Sequence, residues 1–186
     1  RLENVLGYMA IGRAAGQPGP GRVVRVEPKE NKPPRIEGEA WQTSLPVVLS
    51  TGDGTKTVTV TFRNDAGLAA DPVTLTTILD TTAPTGALVA WGTVANGARS
   101  RTLSGSPVLS LDVDATDATS GAALMRVAAD ATALATAPWR AVQSGLPWTT
   151  TGGDGTKTVV LQLKDAAGNT SSATTPISAS LVVDSR

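Results

Sequence analysis

The chain has 186 residues, enough for one or two domains, and its 16 basic and 16 acidic side chains cancel. With no net charge and no block of like charge, the sequence argues against a nucleic-acid partner and against an electrostatically held membrane surface. Cysteine and histidine are both missing, which excludes disulfides and removes the usual general base and the commonest imidazole metal ligand.

Residues 1–11 at the start of the chain fit two patterns. Apolar residues at positions 2, 5, 6 and 9 make a helical stripe, whereas those at 5, 9 and 11 alternate as in a strand. Gly7 weakens a helix by about 1 kcal/mol relative to alanine. Because the segments that follow all have strand character, we favour a strand here.

Four further segments of the first half read as strands: residues 23–27, 45–49, 57–62 and 73–79. The alternation is strictest in residues 57–62, where Val58, Val60 and Phe62 share one face and threonines occupy the other. A period of two places one face on a core and the other toward water. Asp-Gly before this strand and Asp-Ala-Gly after it are turn sequences, because glycine tolerates positive φ and aspartate bonds to its own backbone.

This strand and its turns recur later in the chain. Residues 151–169 copy residues 51–67, and the paired aspartates Asp53 and Asp154 are 101 positions apart. In the second copy Val159, Leu161 and Leu163 are predicted to face the core, and the residues between them, at 158, 160 and 162, are predicted to face water. A strand bracketed by turns that recurs after about a hundred residues matches the spacing of β-sandwich domains.

The boundary between two units is predicted at residues 80–84, where Pro84 makes a short and stiff connector. We therefore assign residues 1–80 to an abbreviated first unit and residues 81–186 to a complete one. The second unit has about seven predicted strands, whereas the first has only 22 residues before its strand at Val23. A sandwich that lacks strands leaves sheet edges for a partner to cover.

Three sequence segments, residues 153–159, 164–169 and 80–86, resemble the immunoglobulin-like, fibronectin type III-like repeats of bacterial surface and secreted proteins. Residues 114–126 are similar to the middle section of that family. The resemblance covers residues 81–186 well and 23–80 in part. It implies tandem β-sandwiches, the first abbreviated, that act as spacers or interaction modules. One departure is that many members carry a tyrosine soon after the Gly-Asp-Gly turn, where this chain has threonine and valine.

Candidate ligand-binding residues are few. Asp112, Asp114 and Asp117 have a spacing that would allow Ca²⁺ coordination, but calcium needs six to eight oxygens and the solvated or turn-forming interpretation is favoured. Asp53-Gly54 and Asp154-Gly155 lack the pattern of a phosphate loop and are interpreted as turns. No pair of acids is placed for glycosidase chemistry. We predict no catalytic, cofactor-binding or metal-binding residue.

The four tryptophans are the most informative aromatic residues. Exposed tryptophans stack on sugar rings or anchor partners, whereas buried ones fill sandwich cores. We predict a core position for Trp139 and leave both interpretations open for Trp91 and Trp148; Trp41 belongs to the first unit.

Together these observations predict a non-catalytic structural spacer or assembly and adhesion module of a bacterial extracellular or cell-surface protein. Its expected partners are proteins, or further copies of itself, bound through sheet edges and loops, with a glycan as a further possibility. We expect no nucleic-acid partner, no cofactor and no membrane span, since no apolar run approaches roughly 20 residues. The alternatives are a carbohydrate-binding accessory module of a secreted polysaccharide-degrading enzyme, and a subunit of a surface filament or phage tail completed by neighbouring chains.

Overall fold

A computed structural model describes the backbone of residues 7–10, 22–28 and 44–45, and both backbone and side chains of residues 46–63 and 66–186. Trp41 and most of the Pro-rich segment 28–34 lie outside the described residues. The chain divides into two compact units, Arg1–Leu79 and Asp80–Arg186. The described residues of each unit lie mainly in antiparallel strands, which confirms the all-β class.

Unit 1, Arg1–Leu79, contains five described strands in two sheets. The strands are β1 (Gly7–Ala10), β2 (Arg22–Pro28), β3 (Ser44–Val47), β4 (Gly54–Arg63) and β5 (Val73–Leu79). Strand β1 pairs with β3, and the other three form a sheet in the order β2-β4-β5. The strand favoured near the start of the chain is therefore confirmed, although it begins at Gly7.

Unit 2, Asp80–Arg186, contains nine strands and one short helix. The strands are β6 (Thr85–Thr93), β7 (Arg99–Ser100), β8 (Leu103–Ser104), β9 (Val108–Thr116), β10 (Ala122–Ala128), β11 (Arg140–Ala141), β12 (Leu146–Thr149), β13 (Gly155–Asp165) and β14 (Ile177–Val183), and the helix is α1 (Ala131–Thr136). They form two sheets, β11-β10-β13-β14-β8 and β12-β9-β6-β7. The second sheet is antiparallel throughout; in the first, β8 pairs in parallel with β14.

One hydrophobic core joins the two sheets of unit 2. Its buried residues come from five long or medium strands and from β12: Leu88, Ala90, Leu109, Leu111, Met125, Val127, Leu146, Val159, Leu161, Leu163, Leu181 and Val183. Leucine and valine supply most of this core, as expected for a chain in which only 3% of residues are aromatic. Burial of such side chains contributes about 1.5–3 kcal/mol each, so the face of β13 with three fully buried members is a large part of the stability of the unit.

The opposite face of β13 differs from the prediction. Val160 and Gln162 were predicted to face water, but they are only 6% and 3% exposed. Helix α1, which the sequence analysis did not predict, covers Val160 with its one buried residue, Leu134. The polar amide of Gln162 can be buried because both of its ends are hydrogen-bonded: Nε2 donates to the main-chain oxygen of Ser171, and Oε1 accepts from Nε of Arg126.

The sequence repeat is also a repeat of strand pairing. Val58 lies opposite Leu75 in the β4–β5 hairpin, and Val159 lies opposite Ala179 in the β13–β14 hairpin. All seven cross-strand pairs of the first hairpin recur in the second, with offsets of 101 residues in one strand and 104 in the other. The glycines that open the two hairpins have the same positive φ, +115° at Gly54 and +116° at Gly155. Such φ values favour glycine strongly, which explains why this turn sequence is kept in both copies.

The correspondence extends to two further strands of unit 1. Strand β2 pairs with β4 as β10 pairs with β13, with Val26 opposite Val60 and Val127 opposite Leu161. Strand β3 pairs with β1 as β12 pairs with β9. Among the strands that the structure describes, unit 1 has no counterpart of β6, which pairs with β9 through residues 85–91 in unit 2.

The apolar side chains of β5 are more exposed than their counterparts in β14. Val73 is 48% exposed and Leu75 is 42% exposed. Their counterparts in β14, Ile177 and Ala179, are partly buried and pack against the core of unit 2. The side chains that are covered on β14 are therefore exposed on β5, although Val58 and Val60, which lie opposite Leu75 and Val73 in β4, are buried.

The close approach of β6 to β8 gives a test of this packing. A Cβ atom added at Gly92 would lie 2.6 Å from the main-chain oxygen of Leu103 and would also collide with Ser104. Because backbone atoms cannot yield cheaply, we expect Gly92→Ala to lower the free energy of unfolding by about 1–3 kcal/mol or more. Urea unfolding of the full chain, followed by tryptophan fluorescence, measures this change.

Gly105→Ala is the matched control, because its added Cβ meets the main-chain oxygens of Thr93 and Asp184 at 3.5 and 3.9 Å, which are ordinary contact distances. We expect it to change stability by less than about 0.5 kcal/mol. Equal effects of the two substitutions would show that β6 and β8 do not approach as described.

Candidate functional site

Asp80 is the first residue of unit 2 and directly follows the last residue of β5. It is only 8% exposed. One carboxylate oxygen, Oδ1, accepts a hydrogen bond from the main-chain N–H of Thr82 at 3.1 Å. The other oxygen, Oδ2, is buried and has no hydrogen-bond partner. A buried polar atom without a partner costs free energy, so this oxygen calls for an explanation.

Asp165 ends strand β13 and is 2% exposed. Its Oδ1 accepts hydrogen bonds from the main-chain N–H groups of Gly168 at 2.6 Å and Asn169 at 2.8 Å. Its Oδ2 accepts one from the side-chain Nδ2 of Asn169 at 2.8 Å. The predicted turn after this strand is thus present, and the Asp165 side chain stabilises it by hydrogen bonds to the backbone that follows.

Asp117 directly follows β9 and closes the turn before β10. Its Oδ1 accepts hydrogen bonds from the main-chain N–H groups of Thr119, Ser120 and Gly121, at 2.8–3.1 Å. This is the turn-forming role that the sequence analysis favoured for Asp117. Gly121 in turn accepts a main-chain hydrogen bond from Ala166, which connects this turn to the one that follows Asp165.

The three aspartates converge on one point. Asp80, Asp117 and Asp165 each contribute one carboxylate oxygen to a group in which all distances are within 4.8 Å. At 4.8 Å two unit negative charges repel each other by on the order of 3 kcal/mol at an effective dielectric constant of about 20. Two of the three carboxylates are buried, where solvent screens this repulsion least.

Asn169 is the main polar side chain that holds this cluster together. Its Nδ2 donates both to Oδ2 of Asp165 and to the main-chain oxygen of Asp80, at 2.8 and 3.1 Å. Within the described part of the chain, no lysine or arginine forms an ion pair with Asp80 or Asp165. Among the residues that the structure describes, the charges of these two carboxylates are offset by amide N–H dipoles.

Only one of the three aspartates considered for calcium belongs to this cluster. Asp112 instead accepts hydrogen bonds from the indole Nε1 of Trp91 at 2.7 Å and from Arg99 at 3.3 Å. Asp114 is exposed on β9. The sequence analysis missed Asp80 and Asp165 as members of a site, because it interpreted them as a unit boundary and a turn.

The Asp-Gly turn of unit 2, at Asp154, does not join the cluster. Asp154 accepts hydrogen bonds from the hydroxyl and the main-chain N–H of Ser185, at 2.6 and 3.0 Å, and pairs with Arg186. The hydrogen bonds from Ser185 lower the pKa of Asp154, with a smaller effect from Arg186. Asp154 therefore fastens the last described residues of the chain beside the turn before β13.

The tryptophans of unit 2 occupy three different environments. Trp148 packs against the edge of the hydrophobic core. Trp139 does not belong to that core, contrary to the prediction; it is partly buried, with the guanidinium of Arg126 4.8 Å from its ring centroid. The guanidinium groups of Arg99 and Arg101 lie over the ring of Trp91, at 4.4 and 4.6 Å from its centroid. Because cations already contact the rings of Trp91 and Trp139, these rings give no support to a sugar-stacking role.

Comparison of the sequence with protein-family models finds no match, and comparison with curated proteins finds none either. Within the described residues, no helix combines the length and the apolar character needed to cross a membrane.

Replacing Asn169 tests whether it holds the cluster. We expect Asn169→Ala to lower the free energy of unfolding by about 1–3 kcal/mol, because it leaves the main-chain oxygen of Asp80 without its donor and removes one donor from Asp165. Chemical unfolding of the full chain at low salt, followed by tryptophan fluorescence, gives the value.

Asn96→Ala is the matched control. The Asn96 side chain also takes part in a hydrogen bond with the backbone, in which its Oδ1 accepts from the main-chain N–H of Ala98, but it lies in an exposed turn and has no hydrogen bond to Asp80, Asp117 or Asp165 among those described. We expect a loss of under about 1 kcal/mol. A loss for Asn169→Ala no larger than that for Asn96→Ala would contradict the bridging role.

Proposed function

We propose that this chain is a non-catalytic structural spacer or assembly and adhesion module of a bacterial extracellular or cell-surface protein, built from tandem immunoglobulin-like units. The observation that carries the proposal is the repeated strand pairing. A protein that repeats one hairpin register in successive units resembles a chain of equivalent mechanical elements more than a scaffold for one reaction centre.

The connection between the units supports this proposal. Strand β5 ends at Leu79, and the next residue, Asp80, is already buried within unit 2. Pro84, the last residue before β6, is also fully buried. Unit 2 therefore begins directly after β5, and the two ends of residues 80–84 are buried within it, although Thr81 and Thr82 between them are exposed.

Force spectroscopy of the full chain, held at its two ends, tests the spacer proposal. A mechanical element should resist and then unfold in one discrete event. Residues 80–186, at roughly 3.3–3.6 Å per residue, give a contour-length gain on the order of 360 Å before the folded length is subtracted. Gradual extension of unit 2 without a discrete event, or turnover of a substrate by the isolated chain, would contradict the proposal.

A second candidate function is a subunit of a filament or particle whose neighbours complete unit 1. The exposed Val73 and Leu75 favour it, because their counterparts in unit 2 are packed against a core. A β-strand or sheet from a neighbouring chain would cover this surface, as strand addition does in other assemblies.

Sedimentation analysis over a range of concentrations tests this second function. We expect the native chain to self-associate and the double variant Val73→Thr with Leu75→Thr to associate at least about tenfold more weakly, because an apolar contact of this size is lost. Val108→Thr is the matched control, since Val108 is an equally exposed valine, at 49%, on a strand of unit 2. A native chain that stays monomeric at all concentrations would contradict the assembly function.

A further inference from the structure

We propose that Asp80, Asp117 and Asp165 form a binding site for a hard divalent cation, for which Ca²⁺ is the best candidate. The site lies within unit 2 and ties its first residue to the turns that follow β9 and β13. This inference does not depend on the proposed spacer function, because it is based on the geometry of one unit alone.

The arrangement of the carboxylates is the first observation. Three oxygens from three separate segments lie within 4.8 Å of one another, close enough to contact a single ion. Calcium–oxygen distances are about 2.3–2.6 Å, so two ligands of one ion are at most about 5 Å apart. The spacing in this cluster therefore falls within the range that a shared cation requires.

The unpartnered oxygen of Asp80 is the second and independent observation. The Asp80 carboxylate is more than nine-tenths buried, and it faces the two other carboxylates. Its Oδ2 has no hydrogen-bond partner, whereas Oδ1 is bound by Thr82. A buried carboxylate oxygen beside two further carboxylates is unfavourable unless a cation binds it. A cation at this point would satisfy the orphan oxygen and remove the mutual repulsion at once.

Hydrogen bonds hold the carboxylates of the cluster in fixed orientations, as the outer hydrogen bonds of known metal sites do for their ligands. Amide N–H groups hold Oδ1 of Asp117 and Oδ1 of Asp165, and Asn169 holds Oδ2 of Asp165. Such outer hydrogen bonds fix ligands in place and are typical of metal sites. They also mean that little rearrangement is needed before an ion binds.

The type of donor selects the class of ion. All three side chains offer carboxylate oxygen, and the chain contains neither histidine nor cysteine. Oxygen-only sites favour Ca²⁺, Mg²⁺ or Mn²⁺ over zinc or copper. Calcium accepts irregular geometry with six to eight oxygens, whereas magnesium demands a near-ideal octahedron. Ligands that come from a unit boundary and two turns fit calcium better, with water as the source of the remaining oxygens.

Calorimetric titration of the full chain with CaCl₂, after removal of metals with a chelator, tests the proposal. We expect saturable binding of one ion per chain, weaker binding of Mg²⁺, and a rise of roughly 5 °C or more in the unfolding temperature of unit 2 at saturating Ca²⁺. The chelator should reverse the rise. Absence of saturable binding for Ca²⁺, Mg²⁺ and Mn²⁺ at millimolar concentrations would overturn it.

Asp80→Asn is the decisive variant, because it removes one charge while its side-chain oxygen can still accept from Thr82. We expect Ca²⁺ affinity to fall at least about tenfold, since affinity depends on the number of charged ligands. Without Ca²⁺ the variant should be at least as stable as the native chain, because the repulsion is reduced. A purely structural role of Asp80 would give the opposite sign: lower stability and unchanged Ca²⁺ binding.

Asp114→Asn serves as the matched control, since Asp114 is an exposed aspartate at the end of the same strand β9 that precedes Asp117. We expect Asp114→Asn to leave the Ca²⁺ affinity within about twofold of the native value, because solvent screens the charge of an exposed aspartate. Asp117→Asn provides a second test inside the cluster, with an expected loss of at least about tenfold. Equal affinities for the native chain and both cluster variants would overturn the assignment.

Discussion

Strand β13 is the element on which the rest of unit 2 depends. It is hydrogen-bonded along both edges, to β10 and to β14, and nearly all of its second half is buried on both faces. One face supplies Val159, Leu161 and Leu163 to the core. A shift of one residue would exchange this face with the other, so burial fixes the register strongly. The register in turn decides where Asp165 ends the strand, and therefore where the acidic cluster forms.

The two faces of this strand show how far the sequence can predict the fold. The core face can be predicted from alternation alone, because three large apolar residues with a period of two share one face of a strand and are buried together. The other face does not, because its burial depends on helix α1 and on the loop that contains Ser171. Helix α1 has six residues and one buried side chain, Leu134, so it shows no apolar period; only Asp130, which caps it, gives a local signal.

The acidic cluster marks a sharper limit of prediction. Asp80, Asp117 and Asp165 lie far apart in the sequence, and each has a satisfactory local explanation as a boundary or turn residue. All three explanations are correct as far as they go, since Asp80 lies at the boundary of the units and Asp117 and Asp165 close turns. What the sequence does not contain is the meeting of the three segments at one end of the sheets. That meeting follows from strand order and strand length, which are long-range properties.

The correspondence between the units is the most general result, because it links the sequence repeat to a repeat of hydrogen bonding. The surroundings of the two hairpins differ: the described strands of unit 1 include no counterpart of β6, and Val73 and Leu75 of β5 are exposed. Cross-strand nuclear Overhauser effects in the isotope-labelled full chain test this correspondence most directly. The account predicts contacts between Val159 and Ala179 and, in the same register, between Val58 and Leu75. A register displaced by one residue in either hairpin, or no contact between β4 and β5, would contradict it.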